Sequence, residues 1–210
     1  MESFRALNTR RLFIAIGFPI VWRNLRTTQR IESIREFSIM RLFIAIRFSN
    51  CIQQSLRQTI NDLRRQGVRG NFSRVENLHL TLAFLGEVQD PKPVREAMNA
   101  VAAAPFSLEL KESGVFHDLY WVGIAENSEL SSYVKMLRAE LHARKIWFDT
   151  KPFKPHITIV RRARQEGKIQ IPVHPESFTV SRISLMKSER KNGTLIYTEI
   201  SAIDLKELQE

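Results

Sequence analysis

The sequence has 210 residues, of which 43% are hydrophobic, enough for the core of one domain or of one domain built from two lobes. Lysine and arginine (32) outnumber aspartate and glutamate (22), and the resulting net charge of +10 favours an anionic partner such as nucleic acid. The single cysteine excludes an internal disulfide framework, and no apolar run reaches the roughly 20 residues of a membrane span. We therefore expect a cytoplasmic protein with no membrane partner.

The N-terminal part of the chain contains one strand-like pattern twice. Residues 11–18 recur as residues 41–48, with seven of eight positions identical. Such a tandem copy is too short to be a solenoid. We interpret residues 1–39 as a duplicated strand-helix arm or a leader, and we expect the functional domain to comprise residues 40–210.

The first half of that domain alternates between strands and helices. A buried strand over residues 41–48 precedes a helix over about residues 51–66, with Ser49 as its N-cap and Gly67 as its stop. A basic loop with Arg64, Arg65, Arg69 and Arg74 leads to a second strand, which ends at Gly86. A helix over about residues 93–103 follows.

The second half contains adjacent strands. The pattern predicts strands over residues 106–112 and 119–125 around a turn at Gly114, a helix over about 130–144, another strand near 155–160, and strands over 178–186 and 194–203 joined at Asn192-Gly193. Adjacent strands joined by short turns indicate an α+β protein with two similar lobes, not a doubly wound one.

Two of the strands carry the same polar pattern. Asn77-Leu78-His79-Leu80-Thr81-Leu82-Ala83-Phe84 contains His-x-Thr, and Pro155-His156-Ile157-Thr158-Ile159-Val160 contains it again 77 residues later. Residues i and i+2 of a strand project from the same face, so each strand offers an imidazole and a hydroxyl to one side. Two such strands facing each other would form a cleft.

These four side chains are suited to acid–base chemistry on a phosphate ester. The ordinary pKa of histidine, about 6.5, lets one imidazole accept a proton while the other donates one. Donor and acceptor are interchangeable on the residues alone. The sequence has no Gly-rich phosphate loop and no Cys/His metal cluster, so we expect no cofactor and no metal. His117, His142 and His174 lack a matching setting, and we expect no catalytic role for them.

The two motifs, with Gly86 after the first, Arg161 after the second and the opening strand 41–46, resemble the two-histidine phosphoesterases. The resemblance is to the LigT-like RNA 2′,3′-cyclic phosphodiesterases, once named 2′-5′ RNA ligases, and it covers about residues 40–205. It implies a bilobal fold with pseudo-twofold symmetry, in which two antiparallel-rich sheets line a central cleft and the helices lie outside. It also implies metal-independent hydrolysis of a terminal 2′,3′-cyclic phosphate of RNA to a 2′-phosphomonoester.

The resemblance implies roles for six residues. His79 would donate a proton to the departing ribose oxygen, and His156 would accept one from water. The other four would bind substrate: Thr81 and Thr158 the phosphate oxygens, Arg161 the phosphate or nucleotide, and Phe84 the base.

Strict strand alternation conflicts with two of these roles. It places Phe84 and Arg161 on the buried side and turns Arg162 toward the cleft. A strand end or a bulge after Val160 would re-aim Arg161 instead. We favour Arg161 over Arg162, whereas Phe84 is as readily a core residue as a binding one.

Other functions also fit the sequence. One is an RNA-binding module without turnover, with Phe72, Trp121 or Trp147 as base-stacking platforms. Another is a 2′-5′ phosphodiesterase or an ATP-independent 2′-5′ RNA ligase. Release of a phosphomonoester from a 2′,3′-cyclic nucleotide in the presence of a chelator would separate the enzyme from the binding module. We expect a monomer.

Overall fold

The computed structural model describes residues 39–206, so the segment interpreted as a duplicated arm lies outside the described residues except for Ile39. The described part contains these elements: β1 (Met40–Arg47), α1 (Asn50–Arg65), β2 (Arg69–Phe72), a 3₁₀ turn (Val75–Asn77), β3 (His79–Val88), α2 (Lys92–Asn99), β4 (Phe106–Phe116), β5 (Leu119–Ile124), α3 (Ser128–Ala143), β6 (His156–Arg164), β7 (Ser177–Val180), β8 (Arg182–Lys191) and β9 (Thr194–Asp204).

The strands form two antiparallel sheets, and each sheet contains one His-x-Thr strand. The first sheet has the order β3-β1-β8-β9 and the second has the order β2-β6-β5-β4-β7. The expected α+β architecture of two lobes, each built on an antiparallel sheet, is therefore confirmed. The lobes are not successive halves of the chain, because β2 belongs to the second sheet while β8 and β9 return to the first.

Helices α1 and α3 each cover the sheet that does not contain the strand before them. Helix α1 follows β1 of the first sheet but packs against β6, and α3 follows β5 of the second sheet but contacts β3. The contact face of α1 is its apolar stripe, in which the aliphatic residues recur every three or four positions: Ile52, Leu56, Ile60 and Leu63. One continuous core consequently joins both sheets.

The predicted loop after α1 and the predicted turn at Gly114 are both wrong. The loop contains the edge strand β2, whose sequence Arg69-Gly70-Asn71-Phe72 lacks the apolar alternation that signals a strand. Gly114 lies inside β4, where a Cβ atom would come within 2.5 Å of the Trp121 ring. The turn occurs at His117 instead, where φ is 54°.

Two further boundaries differ from the prediction. The strand predicted over residues 178–186 is divided at Ser181 into β7 and β8, which join different sheets. Helix α2 ends at Asn99, four residues earlier than predicted. None of the helices within residues 39–206 has the length and apolarity needed to cross a membrane.

Candidate active site

Both His-x-Thr strands have a bulge directly after the threonine. In β3, Thr81 pairs with Ala45 and Ala83 with Ile44, which leaves Leu82 as the extra residue. In β6, Thr158 pairs with Trp121 and Val160 with Tyr120, which leaves Ile159 as the extra residue. An extra residue shifts the inward and outward alternation by one position. The residue three positions after each threonine therefore returns to the face that carries the histidine.

The bulge corrects the alternation-based placement of Arg161 and Arg162. Arg161 is turned toward the face of β6 that carries His156, and its Nη2 atom donates to Thr158 Oγ1 at 3.3 Å. Arg162 is exposed, with a φ of 54°. The irregularity occurs at Ile159, earlier than the position after Val160 suggested by the sequence. The Ile159 carbonyl accepts a hydrogen bond from the Ser73 amide at 2.8 Å, which stabilises the bulge.

The corresponding bulge in β3 turns Phe84 to the face that carries His79. The ring of Phe84 is partly buried against a small apolar cluster that includes Phe43 and Tyr197, and the Arg41 guanidinium lies 4.9 Å from its centroid. Phe84 is therefore both a packing residue and a wall of the site, because this face of the first sheet is apolar where it supports the histidine.

The imidazoles of His79 and His156 are each oriented by a carbonyl group two residues earlier in the chain. His79 Nδ1 lies 2.7 Å from the Asn77 oxygen, and His156 Nδ1 lies 2.8 Å from the Lys154 oxygen. A carbonyl oxygen only accepts hydrogen bonds, so Nδ1 carries the proton in both rings. In a neutral ring, Nε2 is then the atom that is able to accept a proton.

The aromatic surroundings of the two rings differ. His79 packs between Phe43 and Tyr197, with ring centroids 4.8 and 5.1 Å away, and Tyr197 meets it edge-on at 88°. One aromatic ring, that of Phe116, packs edge-on against His156 at 5.4 Å.

Burial lowers the pKa of His79 to about 4, although the hydrogen bond to Asn77 opposes the shift; the positive charge of Arg161 and the nearby His156 lower it further. In the unliganded protein His79 is thus neutral at pH 7. A proton donor must carry its proton before the reaction, so the donor role expected of His79 requires a change in its protonation state.

Three adjoining cavities place the predicted residues along one groove. A cavity of about 330 Å³ is lined by His79, Thr158 and Arg161, and one of about 600 Å³ by His79, Thr81, Phe84 and Arg161. The third, of about 240 Å³, is lined by Thr81, Phe84 and His156. Neighbouring cavities share residues, so we call the three together the catalytic groove. Arg162 lines none of them.

Tyr197 and Asn77 are among the residues of the site that were not predicted from the sequence. Tyr197 lines the groove beside His79. The only sequence feature that could have indicated it is its position on a hairpin strand, two residues after Leu195. Asn77 orients His79 through its carbonyl, while its side-chain amide donates to the Leu195 carbonyl at 3.0 Å. A hydrogen bond of this kind leaves no mark in sequence periodicity.

The other histidines lie in structural positions. His117 occupies the turn between β4 and β5, and His142 is in the last turn of α3. His174 Nε2 lies 2.8 Å from an Asp62 carboxylate oxygen, an interaction that joins the loop before β7 to α1. That these three residues are not catalytic stays a prediction.

Two of the proposed stacking platforms are engaged in packing. Trp121 stacks on Phe116 at 5.1 Å and fills the space beside Gly114 and Gly123. Phe72 lines one end of the groove, with the Arg64 guanidinium 4.8 Å from its ring. The described residues hold no group of three or more His, Cys, Asp or Glu side chains that could bind a metal ion.

Comparison with known proteins agrees with this arrangement. A family model described as the 2′-5′ RNA ligase superfamily matches residues 52–192. An RNA 2′,3′-cyclic phosphodiesterase of Geobacillus stearothermophilus is 32% identical over 78% of this chain, and the match spans 56% of that protein's own length. An RNA 2′,3′-cyclic phosphodiesterase of Archaeoglobus fulgidus is 32% identical over 62% of this chain and 77% of its own length.

A solved structure shows the same fold. The crystal structure of E. coli LigT complexed with 3′-AMP has a TM-score of 0.72 and 28% sequence identity to this chain. The match covers 80% of this chain and 99% of LigT.

Proposed function

The chain belongs to the 2′-5′ RNA ligase superfamily, and from this premise we propose that it is an RNA 2′,3′-cyclic phosphodiesterase. It hydrolyses a terminal 2′,3′-cyclic phosphate to a 2′-phosphomonoester. The relatives from Geobacillus and Archaeoglobus are named RNA 2′,3′-cyclic phosphodiesterases. The observation that carries the proposal is the pair of His-x-Thr strands, one from each sheet, that line a single groove with Arg161.

The phosphate binds among neutral and cationic donors. The Thr81 and Thr158 hydroxyls donate to the non-bridging oxygens, and the Arg161 guanidinium, already in contact with Thr158, adds a positive charge. Fixed donors of this kind stabilise the charge that develops on the phosphoryl oxygens, and loss of one typically costs about 10²–10³ in rate.

The two imidazoles move the protons. His156 Nε2 accepts a proton from water as the water oxygen forms a bond to phosphorus, and the bond from phosphorus to the ribose 3′ oxygen breaks in line. His79 Nε2 donates its proton to that oxygen, leaving the phosphate on the 2′ oxygen. Each transfer is worth roughly 10²–10⁴ in rate. No metal takes part in the proposed reaction.

The donor role requires that substrate binding raise the pKa of His79. The pKa of about 4 applies to the unliganded groove, where Arg161 and burial both disfavour the imidazolium. A bound phosphodiester anion offsets the charge of Arg161 and attracts a proton to the ring. The proton therefore enters with, or after, the substrate.

The test is hydrolysis of 2′,3′-cyclic AMP in excess chelator, followed by separation of 2′-AMP from 3′-AMP. We expect 2′-AMP from the wild type and a kcat reduced about 10²- to 10⁴-fold in His79→Gln and His156→Gln. Arg162→Ala is the matched control, since this exposed arginine lines no part of the groove. Wild-type turnover by either glutamine variant would refute the mechanism, and binding without turnover would identify an RNA-binding module.

A further inference from the structure

A solvent-exposed tryptophan lies next to the catalytic groove. Trp147 is 65% exposed, although a large aromatic ring is normally withdrawn from water. It borders a surface with Arg41, Phe84, Gly86 and Glu87. Because Arg41 and Phe84 also line the largest cavity of the groove, the surface continues outward from the site that holds the phosphate.

The exposure of Trp147 is imposed by fixed neighbours on both sides. Ile146 and Phe148 pack against the core, and the Ile146 amide donates to the Leu141 carbonyl at 2.9 Å. The Asp149 amide donates to the Phe84 carbonyl at 2.9 Å, which ties the segment to β3. A ring held outward by a rigid segment loses little conformational freedom when a ligand stacks on it.

Gly86 brings the two aromatic rings together. Its φ is +67°, and a Cβ atom there would lie 3.2 Å from Trp147 Cζ3 and 3.9 Å from Phe84 Cε1. Both rings therefore flank the same point of β3. Two aromatic side chains at the mouth of the groove could thus each receive one base of an unstacked single strand.

We propose, on the basis of the proposed function, that Trp147 is the stacking platform for the base of the nucleotide that precedes the cyclic phosphate. Phe84 contacts the terminal base, and Arg41 pairs with the phosphodiester between the two nucleotides. Glu87 also borders the surface and lies directly opposite Arg41 in the pairing of β1 with β3. The enzyme accordingly prefers an RNA oligonucleotide end over a free cyclic mononucleotide.

The experiment compares kcat/KM for 2′,3′-cyclic AMP with that for the dinucleotide ApA ending in a 2′,3′-cyclic phosphate. Stacking of a base on an aromatic ring corresponds to about 5- to 150-fold in affinity. We expect the wild type to favour the dinucleotide by a factor in this range. Trp147→Ala should lower the dinucleotide-to-mononucleotide ratio toward one, and Trp147→Phe should restore most of it.

Phe72→Ala is the matched comparison variant. Phe72 is also an aromatic residue beside an arginine, and it lines a part of the groove that Trp147 does not border. The proposal is overturned if the wild type shows no preference for the dinucleotide, or if Phe72→Ala lowers the ratio and Trp147→Ala does not. Thermal unfolding of both variants verifies that each is folded. Wild-type hydrolysis of the mononucleotide separates the two proposals: its absence counts against the proposed function, whereas its presence without a dinucleotide preference counts against the Trp147 platform alone.

Discussion

His79 and His156 share one local hydrogen bond but differ in the surroundings of the ring. Both give Nδ1–H to the carbonyl two residues earlier, whereas His79 is enclosed by Phe43 and Tyr197. The sequence motif supplies the first property because it is local. The second depends on β1 and β9, which are distant in the sequence, so the motif alone could not show that the pKa of His79 is lowered.

The roles of the two histidines can be separated in a variant that retains only His79. The wild-type enzyme has the same pH profile whichever histidine is the donor, because in both cases one imidazole must be protonated and the other neutral. In His156→Gln, the donor assignment makes activity follow the protonated fraction of His79. With a pKa of about 4 in the free protein, we expect residual kcat/KM to fall about tenfold per pH unit above roughly pH 5.

The measurement is kcat/KM of His156→Gln for 2′,3′-cyclic AMP between pH 4 and about pH 8. The residual kcat should decline at a higher pH than kcat/KM does, because bound phosphate raises the pKa of His79. A residual kcat/KM that rises only to about pH 5 and is constant above it would make His79 the proton acceptor.

At the scale of the element, the edge strand β2 supports the geometry around Arg161. Asn71 pairs with Arg161 and Phe72 with Val160, and the Ser73 hydroxyl donates to the Thr158 carbonyl at 2.6 Å. Gly70 permits this approach, with a φ of +152°. A Cβ atom there would lie 2.9 Å from the Arg161 carbonyl oxygen and from Val160 Cγ2.

Gly70→Ala should therefore displace β2 from β6 and disturb the position of Arg161. We expect kcat/KM to fall about tenfold or more, and the free energy of unfolding to fall by about 1–3 kcal/mol from backbone strain. Gly67→Ala is the control, because Gly67 also has a positive φ, of +82°, but no atom lies within 4 Å of the added Cβ. Steady-state kinetics and urea unfolding of the two variants provide the comparison. Equal losses of activity would show that strain alone, without the contact to β6, accounts for the effect.

The sequence was sufficient for the existence and order of most elements, because their apolar periodicity is strong. It was insufficient where pairing with a distant strand decides the local geometry. Alternation placed Phe84 and Arg161 on the wrong face because a bulge depends on the register with β1 or β5. For the same reason β2 was predicted as a loop: a short edge strand without apolar alternation is stabilised by its partner and not by its own pattern.

At the scale of the whole molecule, the two sheets are linked by helices that follow a strand of one sheet and pack against the other sheet. Helix α1 covers the second sheet and α3 contacts the first, and their buried faces belong to one core. Loss of packing in either sheet would uncover the apolar surface of a helix that is joined directly to a strand of the other sheet. We therefore expect the described part of the chain to unfold as one cooperative unit.

Two matched core substitutions test this expectation. Leu56 in α1 and Leu137 in α3 are both fully buried, and Leu→Ala at either site should cost about 2–5 kcal/mol. Each variant should show one urea transition, at lower denaturant concentration, with coincident midpoints by circular dichroism and tryptophan fluorescence. Two separated transitions in either variant would show that the sheets unfold independently.

The backbone carbonyls that hold the two imidazoles have a consequence for acidic conditions. In many acid–base sites a carboxylate fixes the ring, and protonation of the carboxylate in acid weakens that hold. The Asn77 and Lys154 oxygens do not titrate. Ring alignment should thus survive acidification, and any reversible loss of turnover at low pH reports the charge of the imidazoles rather than their rotation.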